Sequence, residues 1–156
     1  MSTGYPVDRV VQALRDGQVT ADVRRFDVPV PTAMAAAEVL GCEVGAIANS
    51  LVFDADGEPL LVLASGAHRV DTATVAALLG VQRVRRASPE FVLAATGQEV
   101  GGVAPVGHPA PLRTVVDVDL AAFPLLWAGG GDHHTMFSAT YEELLRVTGG
   151  VAAAVA

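Results

Sequence analysis

The chain has 156 residues, a formal net charge of −7 and 51% hydrophobic residues, and its ten basic residues other than histidine are all arginine. This length predicts a single domain, 1–156, that buries enough surface to fold without a disulfide or a structural metal. The lack of lysine excludes Schiff-base, P-loop and lysine-general-base chemistry, and the acidic balance provides no overall field that attracts nucleic acid.

Hydrophobic periodicity and capping residues predict alternating helices and strands. A first helix is expected at about 6–16 and the core at 22–149. The expected elements of that core are a strand at 23–28, a helix at 33–40, a hairpin of strands 46–53 and 59–64, a helix at 72–79, a strand at 82–86, a helix at 89–96, strands 112–117 and 125–128, and a last helix after a Thr140–Glu143 capping box. This order predicts an α/β (α+β) fold in which a mixed, curved central β-sheet is flanked by helices.

No apolar run reaches the length of a membrane span, and residues 1–6 lack the basic start and apolar stretch of a secretory signal. The one cysteine, Cys42, excludes an internal disulfide framework and fits a reducing compartment. We therefore expect a cytoplasmic protein with no membrane partner.

The strand at 46–53 carries one polar side chain on an apolar face. Because side chains alternate along a strand, Ile47, Asn49, Leu51 and Phe53 lie on the same face. A buried amide needs hydrogen-bond partners, so Asn49 either pairs with nearby backbone or stands on the wall of a pocket.

Two loops are rich in glycine. The loop at 101–111 combines glycine and proline, which suits either an ordinary surface loop or one that aims backbone N–H and C=O groups at a ligand. In the second loop, His133 and His134 follow Gly129–Asp132. Adjacent histidines point apart on a strand and no other histidine or cysteine has ligand spacing, so we expect no metal site, and instead a histidine that lines a pocket.

Three segments, in this order, resemble the motifs of one known family. Residues 47–53 (IANSLVF) are similar to its I-x-K-[ST]-L-V-F strand, and residues 65–71 (SGAHRVD) are similar to its G-x-x-R-[VL]-D turn. Thr96–Gly97 followed by Gly101–Pro105 matches its T-G…G-x-x-x-P loop. Residues 31–149 thus resemble the YbaK/EbsC-type aminoacyl-tRNA editing domain, which is related to the insertion domain of bacterial prolyl-tRNA synthetases, and this implies the prolyl-tRNA-synthetase-associated domain fold.

The resemblance implies a trans-editing deacylase that hydrolyses the ester of a mischarged tRNA carrying a small amino acid such as Ala, Ser, Thr or Cys. Asn49 stands where the family has a lysine that helps to hold the terminal nucleotide. The expected catalytic positions are Asn49, Gly101, Gly102, Val103, Ala104 and Pro105. The expected substrate-binding positions are Ile47, Ser50, Leu51, Phe53, Ser65, Arg69, His133 and His134.

The resemblance also implies the partners. They are the aminoacylated acceptor end of tRNA and an aminoacyl-tRNA synthetase, with no metal and no cofactor, in a monomer or a homodimer. The alternative is a non-catalytic module, derived from such a deacylase, that binds an aminoacyl group, tRNA or a synthetase. Release of amino acid from mischarged tRNA distinguishes the two.

Overall fold

The computed structural model describes residues 5–156; Met1–Gly4, part of the segment in which no secretory signal is expected, lie outside it. Five α-helices are present: α1 (Tyr5–Asp16), α2 (Ala33–Leu40), α3 (Thr72–Leu79), α4 (Pro89–Thr96) and α5 (Tyr141–Thr148). Side-chain caps begin four of them, and the residues that accept the capping N–H bonds are Thr32, Asp71, Ser88 and Thr140. These caps satisfy backbone donors that a helix start leaves without a partner, so the predicted starts of α2–α5 are confirmed.

The strands form one mixed sheet. They are β1 (Val23–Arg25), β2 (Ile47–Ala55), β3 (Glu58–Ser65), β4 (Val84–Arg86), β5 (Arg113–Asp117), β6 (Leu126–Gly129), β7 (Thr135–Ala139) and β8 (Val151–Ala153). Their order is β1-β7-β6-β2-β3-β5-β8, and β4 pairs with β2. The pairs β2–β6, β3–β5 and β5–β8 are parallel and the other four are antiparallel, which confirms the mixed sheet flanked by helices.

The two faces of the sheet differ in what covers them. The core face carries Ala48 and Val52 of β2 and packs against α1 and α5 through Val10, Leu14 and Leu144. We call the opposite side the site face; it carries Ile47, Asn49, Leu51 and Phe53. Helix α2 covers one part of the site face, over Ile47 and Trp127, and α3 covers another, over Leu60, Val62 and Ala64. Asn49 therefore lies on the same side of the sheet as α2 and α3.

The structure extends the predicted core at both ends. Val10, Leu14 and Val155 are 3% exposed or less, so the predicted limits of 22–149 are too narrow. Strands β7 and β8 and the short 3-10 helices Val44–Ala46 and Val118–Ala122 were not expected. Within residues 5–156, no helix is long and apolar enough to cross a membrane.

Candidate functional site

Asn49 lies in the middle of the sheet, on β2, and is half-buried. Its strand partner on β3 is Ala64. On the other side, the parallel pair of Ala48 with Ala128 places Asn49 level with Gly129 of β6. Both neighbours have minimal side chains, so the amide of Asn49 is the only polar side chain among these three adjacent positions.

The same register continues across the sheet. Met136 pairs with both Gly129 and Arg24, and the pair of Leu63 with Val116 places Ala64 level with Asp117. Paired residues share a face, so these positions form a line on the site face that we call the cross-sheet row. From β1 to β5, the row consists of Arg24, Met136, Gly129, Asn49, Ala64 and Asp117; beyond it, Ala153 of the edge strand β8 pairs with Asp117.

The loop Gly101–Pro105 reaches this row at Gly129. A Cβ atom added to Gly129 would lie 2.6 Å from the carbonyl oxygen of Val103, and one added to Gly102 would lie 2.7 Å from the carbonyl carbon of Asp132. Only glycine permits these approaches of backbone to backbone. The loop Gly101–Pro105 thus lies beside Gly129, which is the neighbour of Asn49 on β6.

Internal hydrogen bonds fix the shape of the loop. The Gln98 side chain, 2% exposed, accepts the Ala104 N–H at 2.6 Å and donates to the Val106 carbonyl at 3.3 Å. The carbonyl of Ala104 is bonded to Nε2 of His108 at 2.8 Å. Both backbone groups of Ala104 are therefore occupied, and the Gly102 N–H donates to the Glu99 carbonyl at 2.9 Å.

The two adjacent histidines have different surroundings. Nε2 of His133 is bonded to the Val100 carbonyl at 2.9 Å, and its ring lies against Gly101 and Gly102. Nδ1 of His134 is bonded to the Phe26 carbonyl at 3.1 Å. His133 therefore borders the loop, whereas His134 lies toward the segment after β1.

Two predicted serines do not lie on the face of Asn49, and Arg69 lies in the exposed segment after β3. Ser50 lies on the core face by alternation, and its buried Oγ has no hydrogen-bond partner among the described residues. Ser65 is 2% exposed, donates to the Gly45 carbonyl and accepts the Ala67 N–H, so its hydroxyl is committed to structure. Arg69 is exposed and forms no ion pair with any residue in 5–156. The resemblance implied substrate binding by Ser50 and Ser65; alternation and the pairing of Ser65 with Ala48 place both on the core face, and their binding role stays a prediction.

A group that the sequence did not indicate stands at the end of the row. The carboxylate of Asp117 is 1% exposed, and its Oδ2 lies 2.5 Å from Nε2 of His68. The same oxygen accepts the Ser65 N–H at 2.9 Å, while Oδ1 accepts the Asp119 N–H at 3.0 Å. Asp117 caps the 3-10 helix Val118–Ala122, which explains why the chain turns there. The available signal was a lone acid at the end of an apolar strand, but its partner is 49 residues away in sequence.

Burial shifts the pKa of three side chains. Desolvation raises the pKa of Tyr141, and the charge of Asp117 raises it further. Desolvation lowers the pKa of His108, an effect opposed by its bond to the Ala104 carbonyl. The pKa of the Cys42 thiol is raised, chiefly by burial, which fits an inert cysteine rather than a nucleophile.

One group of possible ligand atoms is present in residues 5–156. His68, Asp117 and Asp119 offer atoms within 4.8 Å of one another. His68 and Asp117 are bonded directly to each other. Two cavities, of about 340 and 180 Å³, lie elsewhere, one beside Asp56 and Arg83 and the other beside Pro6 and Thr96.

Comparison with known proteins gives concordant matches. A family model described as an aminoacyl-tRNA editing domain matches residues 27–147. The uncharacterized protein YwhH of Bacillus subtilis is 32% identical over 124 residues, which is 79% of this chain and 78% of YwhH. A proline–tRNA ligase of Nitratidesulfovibrio vulgaris is 36% identical over 97 residues, 60% of this chain but only 17% of the ligase.

A solved structure matches over nearly the whole chain. It is the crystal structure of a proposed trans-editing enzyme for prolyl-tRNA synthetase, 39% identical, with a TM-score of 0.88 over 99% of this chain and 98% of that one. The match includes both the sheet and the helices on its two faces.

Proposed function

This chain belongs to the YbaK-type family of aminoacyl-tRNA editing domains, and we propose that it hydrolyses the ester of a mischarged tRNA in trans, as a companion of prolyl-tRNA synthetase. The observation that carries the proposal is the match of 99% of the chain, at 39% identity, to the proposed trans-editing enzyme. The similarity to a segment of a proline–tRNA ligase supports tRNA for proline as the substrate. In this proposal the substrate is tRNA for proline that carries a wrong amino acid.

The cross-sheet row and the loop offer the groups that this reaction needs. Hydrolysis requires the ester carbonyl to be held while water adds to its carbon, and fixed backbone groups suit that purpose because they do not reorganise during the reaction. Gln98 and His108 hold Ala104 at the centre of the loop. In this proposal Gly101 and Val103, which precede Ala104, offer backbone groups to the aminoacyl end, and Asn49 offers an amide to the terminal nucleotide.

Close packing beside Asn49 favours a small amino acid. Gly129 has no space for a methyl group, and Ile47 and Trp127 are 3% and 6% exposed. A bulky side chain would have to displace one of these groups, which costs free energy in a well-packed region. Ala, Ser, Thr and Cys are the proposed cargoes.

Two arginines offer positive charge for the tRNA backbone on an otherwise acidic protein. Arg69 follows β3, and Arg86 pairs with Phe53, so its side chain lies on the site face, roughly 13 Å along β2 from Asn49 at about 3.3 Å per residue. Both are exposed and neither forms an ion pair with the residues that the structure describes. Asn49 cannot neutralise a phosphate, so in this proposal these arginines carry that task.

The test is a deacylation assay on a matched panel. The tRNA for proline is charged with radiolabelled Ala, Ser, Thr, Cys or Pro, and release of amino acid is measured with and without the protein. We expect faster release of at least one wrong amino acid and none of proline. If the protein binds these tRNAs but releases nothing from any of them, deacylation is refuted and the non-catalytic binding module, which the loss of the family lysine favours, takes its place.

A further inference from the structure

Strand β2 has a stretch of open edge in the middle of the sheet. On the edge away from β3, its ladder with β6 ends at the pair of Ala48 with Ala128, and its ladder with β4 begins at the pair of Phe53 with Arg86. Residues 50–52 lie between these two ladders and have no strand beside them on that edge within residues 5–156. We call this stretch the sheet gap.

The direction of the backbone groups in the sheet gap follows from the ladder with β3. The N–H of Gly66, which follows β3, donates to the Ile47 carbonyl, so this carbonyl points toward β3. Because the hydrogen-bonding direction alternates along an antiparallel strand, Asn49 and Leu51 also direct their N–H and C=O groups toward β3. Ser50 therefore directs both of its main-chain groups into the sheet gap.

The polar groups of Ser50 have no partner within residues 5–156. Its N–H and its carbonyl enter neither of the two ladders and form no hydrogen bond with a loop, and its buried Oγ is also unbonded. Backbone groups without a partner are rare in folded proteins unless water or a ligand reaches them. Residues 49–53 are half-buried, whereas their β3 partners 60–64 are buried, so the middle of β2 is open to solvent.

The loop Gly101–Pro105 crosses the sheet beside the gap. The carbonyl oxygen of Val103 lies 2.6 Å from a Cβ atom added to Gly129, on the site face, whereas Ala104 packs in the cluster on the core face. The chain thus passes from one face to the other at the end of β6, and the main-chain groups of Ala104 are bonded elsewhere. The loop therefore forms one wall of the sheet gap and leaves the main chain of Ser50 without a partner.

We propose that the main chain of Ser50 binds the aminoacyl group of the substrate, an inference that rests on the proposed deacylase function. An amino acid carries an ammonium donor and a carbonyl acceptor on the two sides of its α-carbon, as a residue in a peptide strand carries N–H and C=O. It can exchange a pair of hydrogen bonds with Ser50, as directly opposed residues of antiparallel strands do. The α-ammonium group donates to the Ser50 carbonyl in a charge-assisted bond, and the Ser50 N–H donates to the carbonyl of the ester.

Such a subsite gives each part of the site a separate task. Main-chain bonds hold the atoms that all amino acids share, as they do when a peptide adds to the edge of a sheet. The ester carbonyl then lies beside the loop Gly101–Pro105, and the choice of side chain is left to close packing such as that at Gly129. Asn49 points to the site face from the next position on β2, so its amide remains available to the terminal nucleotide.

The first experiment compares the affinity of two probes that resist deacylation. The alanyl probe is an adenosine in which an amide joins alanine to the ribose, and the propanoyl probe is the same molecule without the α-amino group. We expect the whole protein to bind the alanyl probe about tenfold or more tightly than the propanoyl probe, because the ammonium group adds a charge-assisted hydrogen bond. Equal affinities, or no binding of either probe, contradict the proposal.

Amide hydrogen exchange followed by NMR locates the bound group. In the free protein, the N–H of Ser50 should exchange about tenfold or more faster than those of Asn49 and Leu51, which are bonded to β3. Saturation with the alanyl probe should slow exchange at Ser50 by about tenfold or more. A Ser50 N–H that is already protected in the free protein, or that exchanges equally fast with the probe bound, overturns the proposal.

A pair of proline variants tests the same N–H by mutation. Proline is tolerated in a strand where the N–H has no partner, so Ser50→Pro should unfold cooperatively and bind the alanyl probe about tenfold or more weakly. Leu51→Pro is the matched control: it removes an N–H that is bonded to β3 and should lower the melting temperature much further. A folded Ser50→Pro with the affinity of the parent would refute the subsite. If Ser50→Pro does not fold, exchange at Ser50 in the parent decides.

Deacylation of mischarged tRNA, measured in parallel, separates the subsite from the function. If the parent releases amino acid but the probes show neither a preference for the α-ammonium group nor protection at Ser50, the subsite is wrong and the deacylase function stands. If the probes bind as expected but no tRNA is deacylated, the subsite stands and belongs to the non-catalytic binding module.

Discussion

The two faces of β2 are built from alternate residues of one strand, yet they differ in what they leave unfilled. The core face packs Ala48 and Val52 against α1 and α5, and the buried Oγ of Ser50 on this face has no hydrogen-bond partner among residues 5–156. On the site face, Asn49 stands between Gly129 and Ala64, with a buried carboxylate at the end of the same row. Apart from that hydroxyl, apolar side chains fill the core face around Ala48 and Val52, whereas the site face has small or polar side chains at adjacent positions.

The difference teaches how a function can be placed on a sheet without weakening it. Every member of the cross-sheet row keeps its strand pairing, so the backbone hydrogen bonds that stabilise the sheet remain intact. The site face differs in the size of its side chains: the neighbours of Asn49 in the row are Gly129 and Ala64. A substitution of Gly129 or of Asn49 therefore tests the site face alone.

The largest effect is expected from Gly129→Ala. The new methyl group would lie 2.6 Å from the Val103 carbonyl oxygen, so the loop must move. A displacement of about 1 Å in a positioning element can cost about 10²-fold in rate, and overpacking costs about 1–3 kcal/mol of stability. We expect both losses, measured by deacylation kinetics and thermal unfolding.

The matched control for that glycine is Gly41→Ala. Gly41 ends α2 with a φ of +68° and has no atom within 4 Å of an added Cβ. Alanine there costs about 1–2 kcal/mol through its left-handed backbone alone. Deacylation should be unchanged, and an equal loss of activity in the two variants would attribute the effect to stability rather than to the loop.

A smaller effect, of opposite sign, is expected from Asn49→Lys. The lysine stem can lie along Leu51, and its ammonium gains a charge-assisted contact to the terminal nucleotide worth about 1 kcal/mol or more. Deacylation of at least one tRNA carrying Ala, Ser, Thr or Cys should become roughly tenfold faster in kcat/KM with the fold preserved. A folded variant that is no faster on any of these tRNAs would mean that this chain binds its substrate differently. Asn49→Ala gives the complementary result, since a slower rate would show that asparagine itself contributes.

A further prediction sets Arg69, in the exposed segment after β3, against Arg15 on α1, which packs on the core face. Arg69→Gln should raise KM by a few fold and reduce the dependence of KM on salt, because one phosphate contact is lost. Arg15→Gln removes the same charge from an exposed position and should leave KM within about twofold. Equal changes in KM would indicate that net charge, rather than the position of Arg69, attracts the tRNA.

The sequence predicted most of the fold because the signals that carry it are local. Thr32, Asp71, Ser88 and Thr140 bond to backbone within three residues, and such caps can be recognised from residue order. Strands β7 and β8 were missed because pairing with β6 and β5, rather than composition, makes them strands. The three motifs predicted the family, and the match of residues 27–147 confirms it.

The candidate site was less accessible to sequence reasoning. Alternation placed Asn49 correctly on the face of Ile47, Leu51 and Phe53, since a period of two follows from the backbone. The bond between His68 and Asp117 depends on the register of two strands and on a turn, and neither is encoded by spacing along the chain. The catalytic and binding roles assigned from the resemblance remain predictions.

The smallest expected effect concerns His108, whose ring supports the loop from the core side. Its pKa is lowered, first by desolvation, so the folded state binds a proton at His108 less readily than the unfolded chain does. Stability from this group is therefore complete above the unfolded pKa of about 6.5 and declines as the pH falls below it, because the unfolded state then takes up the proton. Thermal unfolding at pH 7.5 and 5.5 should show a larger loss on acidification for the parent than for His108→Gln, whose amide can also donate to the Ala104 carbonyl. An identical pH dependence in both proteins would mean that His108 contributes nothing to it, and a larger one in the variant would reverse the sign of the argument.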